Sequence, residues 1–348
     1  MGILACVFGP GAALPYWSVD VVRNLVDVCV GPAVYLHPQN IEEIRNALID
    51  RGDRSVIYFC ETPAAEIVAL FSRLNTPILM IHEDLADVAG FNLQVRSLSL
   101  FDSVRLAVQS AASLHDLYFH PQAQVFRRTE LTTIGDFIGL LAQAYQIEAD
   151  AAARNQIASR VVGQAAQPAD VSIEDALRSR YEMMRPPGGY MEDVIRASEP
   201  GVIHMLQQYG SASEGRRLDS VTWPASVFFN GDVPNTFAPP RQELTGKARI
   251  LVYGPYLSVP RGKWKAKIGF IIGQNLSGNT LVVDMALNAI PAAICEVKLP
   301  HSGQYEIDLA VEVLEPSAPI EVRITLKHGA IEGWFSLLWV EMQRTGAA

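Results

Sequence analysis

The chain has 348 residues, 49% of them hydrophobic, enough to bury a large core and long enough for two domains with a third small element. Charged residues make up 19% and the formal net charge is −9, which argues against nucleic acid as a partner, since such binding normally needs a clustered basic excess. The nearest approach to one, Lys263, Lys265 and Lys267, lies on a single strand face and reads as a solvated sheet edge.

Met1 to Phe8 is apolar but short, carries no basic region and runs into Gly9-Pro10-Gly11. It reads as a buried first strand and not a signal peptide. No apolar run approaches the roughly eighteen residues a membrane span needs, so none is expected. Cys6, Cys29, Cys60 and Cys295 are far apart in apolar surroundings and form no C-x-x-C pair. Free buried thiols in a reducing, cytoplasmic compartment account for them better than disulfides, and no metal site is expected.

Four short apolar runs follow in order: Ile3–Phe8, Ala33–Leu36, Ser55–Phe59 and Pro77–Ile81. Each has the near-continuous hydrophobicity of a strand buried on both faces. Asn40-Ile41-Glu42-Glu43 reads as a capping box, and Ile41, Ile44 and Leu48 continue at helical spacing to Gly52. Thr62-Pro63 places a cap ahead of a helix over Glu66–Leu74. This alternation predicts an α/β lobe over 1–163 with a parallel sheet and right-handed crossovers.

Ligands of such sheets bind beyond the carboxyl ends of the strands. Those ends carry Gly9 and Gly11, then His37, then Glu61, then His82, Glu83 and Asp84. Two histidines and three carboxylates on one edge could serve acid–base chemistry or hold a metal, and these five are the catalytic candidates. Strand-end loops are polar in any case, and Asp84 alternatively caps the next helix. The first loop sits where a P-loop would but lacks its Lys-Ser/Thr, and its prolines remove donors. Helices over Leu100–Leu117, Thr132–Tyr145 and Ala149–Val162 follow the fourth strand. The order over roughly 1–160 resembles a degenerate P-loop sulfotransferase fold. That family has an Arg-Asp-Pro strand end where this chain has Ile81-His82-Glu83-Asp84, so the resemblance implies the topology and argues against sulfate transfer. The sequence names no cofactor.

Residues 164–215 read as a helical linker, with Ser172 capping a helix that runs to about Met184. Arg185–Tyr190 breaks it, and a second helix is expected over Met191–Ala197. Tyr181, Met183, Met184 and Tyr190 read as helix packing or, alternatively, as an interaction stripe.

From Ala248 the period changes to two. Trp264, Ala266 and Ile268 oppose the lysines, Tyr305, Ile307, Leu309, Val311 and Val313 form one side of another run, and Ile320, Val322, Ile324 and Leu326 one side of a third. Turn signals separate them, predicting an antiparallel β-sandwich of seven or eight strands over 216–348. Tyr253-Gly254-Pro255-Tyr256-Leu257-Ser258-Val259-Pro260 followed by Gly262-Lys263-Trp264 resembles the galactose-binding-like jelly rolls of carbohydrate-binding modules. It is also similar to C-terminal domains attached to bacterial polysaccharide-biosynthesis proteins. The resemblance covers about 220–343 and implies a glycan or protein partner.

Sugar binding needs exposed aromatic faces with planar polar groups beside them. Trp223, Tyr253, Tyr256 and Trp334 are the aromatic candidates, with Asn230, Asp232, Arg249 and Glu332 as polar partners. Trp264 falls on the apolar face of its strand, and Trp339 shares a face with Phe335 and Leu337, so both are expected in the core. Three functions fit: a carbohydrate-associated protein of bacterial surface-polysaccharide metabolism with a degenerate transferase lobe, an active transferase with a nucleotide-type donor, or an assembly protein forming homo-oligomers through the sandwich.

Overall fold

The computed structural model describes residues 2–38, 40–74, 76–128, 132–163, 165–181 and 200–347. The chain forms two compact units, Met1–Glu192 with Ala212–Gly215, and Asp193–Ser211 with Arg216–Ala348. The segment read as a linker therefore divides between them.

The first unit contains β1 (Leu4–Phe8), α1 (Ala13–Cys29), β2 (Ala33–Leu36), α2 (Ile41–Asp50), β3 (Ser55–Cys60), α3 (Ala65–Phe71), β4 (Ile78–His82), α4 (Leu85–Gln94), α5 (Leu100–Leu114), β5 (Ala123–Arg127), α6 (Ile134–Ala144), α7 (Ala151–Val162) and α8 (Ile173–Arg180). The five strands form a parallel sheet in the order β2-β3-β1-β4-β5. Cys6, Phe8, Tyr58, Cys60, Ile78 and Met80 point to one face, where Ile44 of α2 and Ile67 and Phe71 of α3 cover them. Val7, Ile57, Phe59, Leu79 and Ile81 point the other way and are also fully buried, which is why these strands show no polar alternation.

The Asn40 cap forms as the sequence implies, accepting from the Glu43 N–H at 3.0 Å, and Gly52 takes the left-handed conformation that ends the turn (φ +60°). Asp150 and Ser172 cap α7 and α8 in the same way. Two expectations need correction. Helix α3 begins at Ala65 with Ala64 at its cap position and no side-chain cap, so Thr62-Pro63 lies in the preceding loop. A fifth strand, β5, follows the four expected ones; its alternation Ala-Gln-Val-Phe-Arg is that of an edge strand, paired to β4 alone. Tyr181 packs edge-on against Phe91, with ring centroids 5.4 Å apart, whereas Met183, Met184, Tyr190 and the helix expected over Met191–Ala197 lie outside the described residues.

The second unit opens with α9 (Pro200–Gly210), followed by β6 (Ser220–Pro224), β7 (Phe229–Asn230), β8 (Gln242–Glu243), β9 (Arg249–Leu257), β10 (Gly262–Gly273), β11 (Asn279–Leu287), β12 (Ile290–Leu299), β13 (Gly303–Val313), β14 (Ile320–Leu326) and β15 (Trp334–Gly346). They form two five-stranded antiparallel sheets: β13-β10-β15-β6 with β8 beside β15, and β12-β11-β14-β9-β7. This is the sandwich the period-two runs predict. Ile268, Phe270, Leu281, Val283, Met285, Val322, Ile324 and Phe335, all essentially inaccessible, fill its interior.

The lysine strand β10 is not an edge. It lies between β13 and β15, and Lys265 and Lys267 pair with Asp308 (3.2 Å) and Glu306 (3.5 Å) of β13. Trp264 is in the core, 1% exposed, and its indole N–H donates to the Pro260 carbonyl at 2.8 Å. Trp339 departs from the core face. The pairing of β10 with β15 slips between Gly269 and Phe270, so Leu337 opposes Phe270 while Trp339 opposes Gly269. This bulge inverts the alternation, and Val340 and Met342 take the interior positions beyond it.

Candidate functional site

The strand-end residues of the first unit do not converge. Gly9 lies where a Cβ would come within 2.7 Å of the Ile81 carbonyl, and a Cβ on Gly11 would collide with the Glu61 carboxylate. The glycines are thus required by close packing of the loop. Glu61 accepts from the Tyr16 hydroxyl (3.1 Å) and pairs with Arg96 (3.1 Å), while burial raises its pKa against the opposing charge of His37. His37 itself is exposed and faces the Phe59 ring.

Glu83 points elsewhere. It is 2% exposed, accepts the Leu14 N–H in the first turn of α1 at 3.3 Å and pairs with Arg128 at 3.2 Å. Arg128 also holds Glu174 of α8 at 2.6 Å. Burial outweighs the attraction of Arg128 and pushes Glu83 up to about 7. The first-turn amide of α1 is thus met by a protein carboxylate. His82 forms a third group, with Nδ1 3.4 Å from the Tyr118 hydroxyl and Nε2 3.2 Å from the Ser213 hydroxyl. Asp84 takes the capping role, accepting the Ala86 N–H at 2.8 Å. Among the described residues no three histidine, cysteine, aspartate or glutamate side chains are grouped to hold a metal ion. Among the described residues these side chains form three separate hydrogen-bonded groups, around Glu61, Glu83 and His82.

The second unit brings two candidates, Tyr253 and Tyr256, together on one face of the β12-β11-β14-β9-β7 sheet. Tyr253 stacks on Phe229 (centroids 5.4 Å, interplanar angle 27°), and Phe229 stacks on Phe237 (5.7 Å, 13°). Tyr256 lies 6.3 Å from both Phe229 and Tyr253. A strict alternation would put Tyr253 and Tyr256 on opposite faces. The register between β9 and β14 passes from Pro255–Glu321 to Leu257–Ile320, so Tyr256 is a bulged residue, with φ +62°. That left-handed conformation is uncommon outside glycine and costs on the order of 1 kcal/mol or more. The Tyr256 hydroxyl donates to Glu321 at 2.7 Å, which fixes the ring on the same side as Tyr253.

Asn230 and Arg249 stand opposite Val252 and Leu326, which face the core, so they are not on the face of the rings. Asn230 accepts the Asp232 N–H at 2.9 Å, shaping the β7 turn, and Asp232 pairs with Arg249 at 2.7 Å. The Tyr253 hydroxyl accepts the Asn235 N–H at 3.2 Å. Phe237 is 54% exposed, while Phe229, Tyr253 and Tyr256 are half-buried. The cluster presents aromatic surface beside the Glu321 carboxylate and the Arg323 guanidinium, a combination that can hold a ring carrying both C–H faces and hydroxyls.

Of the candidates, Tyr253 and Tyr256 share the cluster, whereas Asn230, Asp232 and Arg249 form a separate polar group at the β7 turn. Trp223 is not among them: it is fully buried in β6, and its indole N–H donates to the Tyr209 hydroxyl at 3.1 Å. The proline-rich segment that read as loop is the end of strand β6, paired in regular register with β15. Glu332 accepts the Leu276 and Ser277 N–H groups at 2.9 and 2.7 Å and clamps that turn, which lowers its pKa. Trp334 packs over Gly273 and carries the Arg241 guanidinium 4.4 Å above its ring. Phe229 and Phe237 were missed; the available signal was the Asn230-Gly231-Asp232 turn between them.

No protein-family model matches this sequence, and no curated protein matches it. Solved structures do align with part of it. One is the CBM36-1 domain of a multidomain xylanase from the hindgut metagenome of Trinervitermes trinervoides, at 10% identity and TM-score 0.26, covering 37% of this chain and 99% of that one. Another is TmCBM61 in complex with β-1,4-galactotriose, at 9% identity and TM-score 0.24, covering 36% and 82%. A third is the carbohydrate-binding module CBM6cm-2 of Cellvibrio mixtus lichenase 5A in complex with cellotriose, at 17% identity and TM-score 0.23, covering 36% and 97%.

Proposed function

We propose that the second unit is a glycan-binding module whose site is the Phe229, Phe237, Tyr253 and Tyr256 cluster with Glu321 and Arg323 beside it. The observation that carries this reading is Tyr256, held in a left-handed conformation at a bulge and tied to Glu321, which puts its ring on the same side as Tyr253. Strain at a position of this kind is retained where the surroundings over-determine it, and such positions cluster at ligand sites. On this reading the protein is a cytoplasmic, carbohydrate-associated component of bacterial surface-polysaccharide metabolism, and its first unit is a transferase-like scaffold without phosphate chemistry. The carboxylates Glu61 and Glu83 against the Gly9–Gly11 loop and the start of α1 support that part.

The test is retention of the full chain on a glycan array, with Tyr253→Ala alongside. Loss of one buried aromatic contact at the centre of a site is expected to weaken binding by about tenfold or more. Equal retention of variant and wild type on the same glycan would remove the cluster from the site. A stabilising shift by a nucleotide in a thermal panel would instead favour an active transferase.

A further inference from the structure

The pairing registers carry the aromatic cluster across the whole sheet. Phe229 opposes Tyr253, Tyr253 opposes Arg323, Arg323 opposes Asp284, and Asp284 opposes Ile294. Residues directly opposite share a face, so these five side chains form one row across β7, β9, β14, β11 and β12. Their interior-facing neighbours Val322, Ile324, Val283 and Met285 are fully buried, which places the row on the face away from the core. Four inter-strand spacings make the row about 19 Å long.

The middle of the row is an ion pair with hydrogen-bonding capacity left over. Arg323 donates through Nε (2.7 Å) and Nη2 (2.6 Å) to Asp284 Oδ1, with side chains 33% and 13% exposed. Among the described residues Asp284 Oδ2 and Arg323 Nη1 have no protein hydrogen bond, leaving the pair one acceptor and one donor. Ile294, 73% exposed, is an apolar platform at the far end. The other cations near the row are also met by acids: Lys327 by Glu296 at 2.6 Å, with Lys298 beside the same carboxylate, and Arg249 by Asp232. Glu321 adds a further carboxylate beside Tyr256. Among the described residues of this face no cluster of uncompensated positive charge is present to recognise a uronate, sulfate or phosphate group.

We infer that the glycan taken by this site is an extended, uncharged chain lying across the five strands from Phe229 to Ile294, with Asp284 and Arg323 bonding its hydroxyls midway. This rests on the glycan-binding reading above and specifies its substrate class. A linear chain advances by about one strand spacing per ring, so the row accommodates about four rings.

The experiment has two arms, both on the full chain. Affinity electrophoresis in hydroxyethylcellulose and galactan is compared with polygalacturonate and dextran sulfate, at low and high salt. Calorimetry with cello- and galacto-oligosaccharides of increasing length follows, for wild type, Tyr253→Ala, Ile294→Ala and the charge-neutral pair Asp284→Asn with Arg323→Gln. Expected are retardation by a neutral polymer only, less than twofold change with salt, and affinity that rises to about the tetrasaccharide. Ile294→Ala, at an exposed position where folding is not at stake, should abolish the gain from the longest chains, and the double variant should weaken the tetrasaccharide by about tenfold. Retardation by the anionic polymers that fades with salt overturns the inference, as does an affinity already complete at the disaccharide. Binding that depends on Tyr253 but ignores Ile294 and the ion pair leaves the aromatic site standing and removes the extension. Retardation by none of the four polymers removes both.

Discussion

Truncating Trp223 to alanine asks whether that indole is core or ligand contact, the point on which sequence and structure diverge most. The side chain is inaccessible, and its N–H donates to Tyr209, whose hydroxyl in turn donates to the Ser258 carbonyl at 2.6 Å. Removing a buried tryptophan costs about 3–5 kcal/mol when the surroundings relax only partly. The lost indole donor adds up to about 1 kcal/mol, because Tyr209 keeps its bond to Ser258. For a unit of about 150 residues, each kcal/mol lowers the melting midpoint by about 2–4 °C, giving a fall on the order of 10 °C or more. Differential scanning calorimetry of the full chain measures this, and glycan titration well below the new midpoint should return the wild-type affinity per folded molecule. A variant with an unchanged midpoint and abolished glycan binding would refute the reasoning and return Trp223 to the binding surface.

Two further substitutions probe the first unit. Glu83 is raised from 4.5 to about 7 by burial, so the folded state binds a proton that the unfolded chain has already lost between those values. Its contribution therefore favours the folded state below about pH 4.5 and is lost as pH rises through 7, by about 3 kcal/mol. Glu83→Gln should remove this slope in urea denaturation across that window, and parallel slopes for variant and wild type would exclude Glu83 as its source. Gly11→Ala should drive the Glu61 carboxylate from its place against Tyr16 and Arg96, lowering stability by about 1–3 kcal/mol; an unchanged urea midpoint would show that the loop is slack.

The α/β lobe was legible because its strands are buried on both faces, which forces runs such as Ser55–Phe59 to be continuously apolar, and because Asn40 and Ser172 act through neighbours three residues away. The sandwich was legible for the complementary reason: one wet face imposes an alternation that survives in Tyr305–Val313 without knowledge of its partners. Both signals are local.

Wherever the alternation breaks, the answer depends on the opposite strand. The slip between Gly269 and Phe270 turned Trp339 away from the core, and the bulge at Tyr256 brought two tyrosines to one face that spacing alone would separate. The strand-end polar residues of the first lobe look alike in sequence, yet Glu61 and His82 meet Arg96 and Tyr118 from later in the chain, while Asp84 caps the helix that follows it. By itself the sequence determined the two fold classes and the residue types available for a site. Tertiary structure decided which of those residues meet, because pairing register and bulges are set between strands and leave no periodic trace within any one of them.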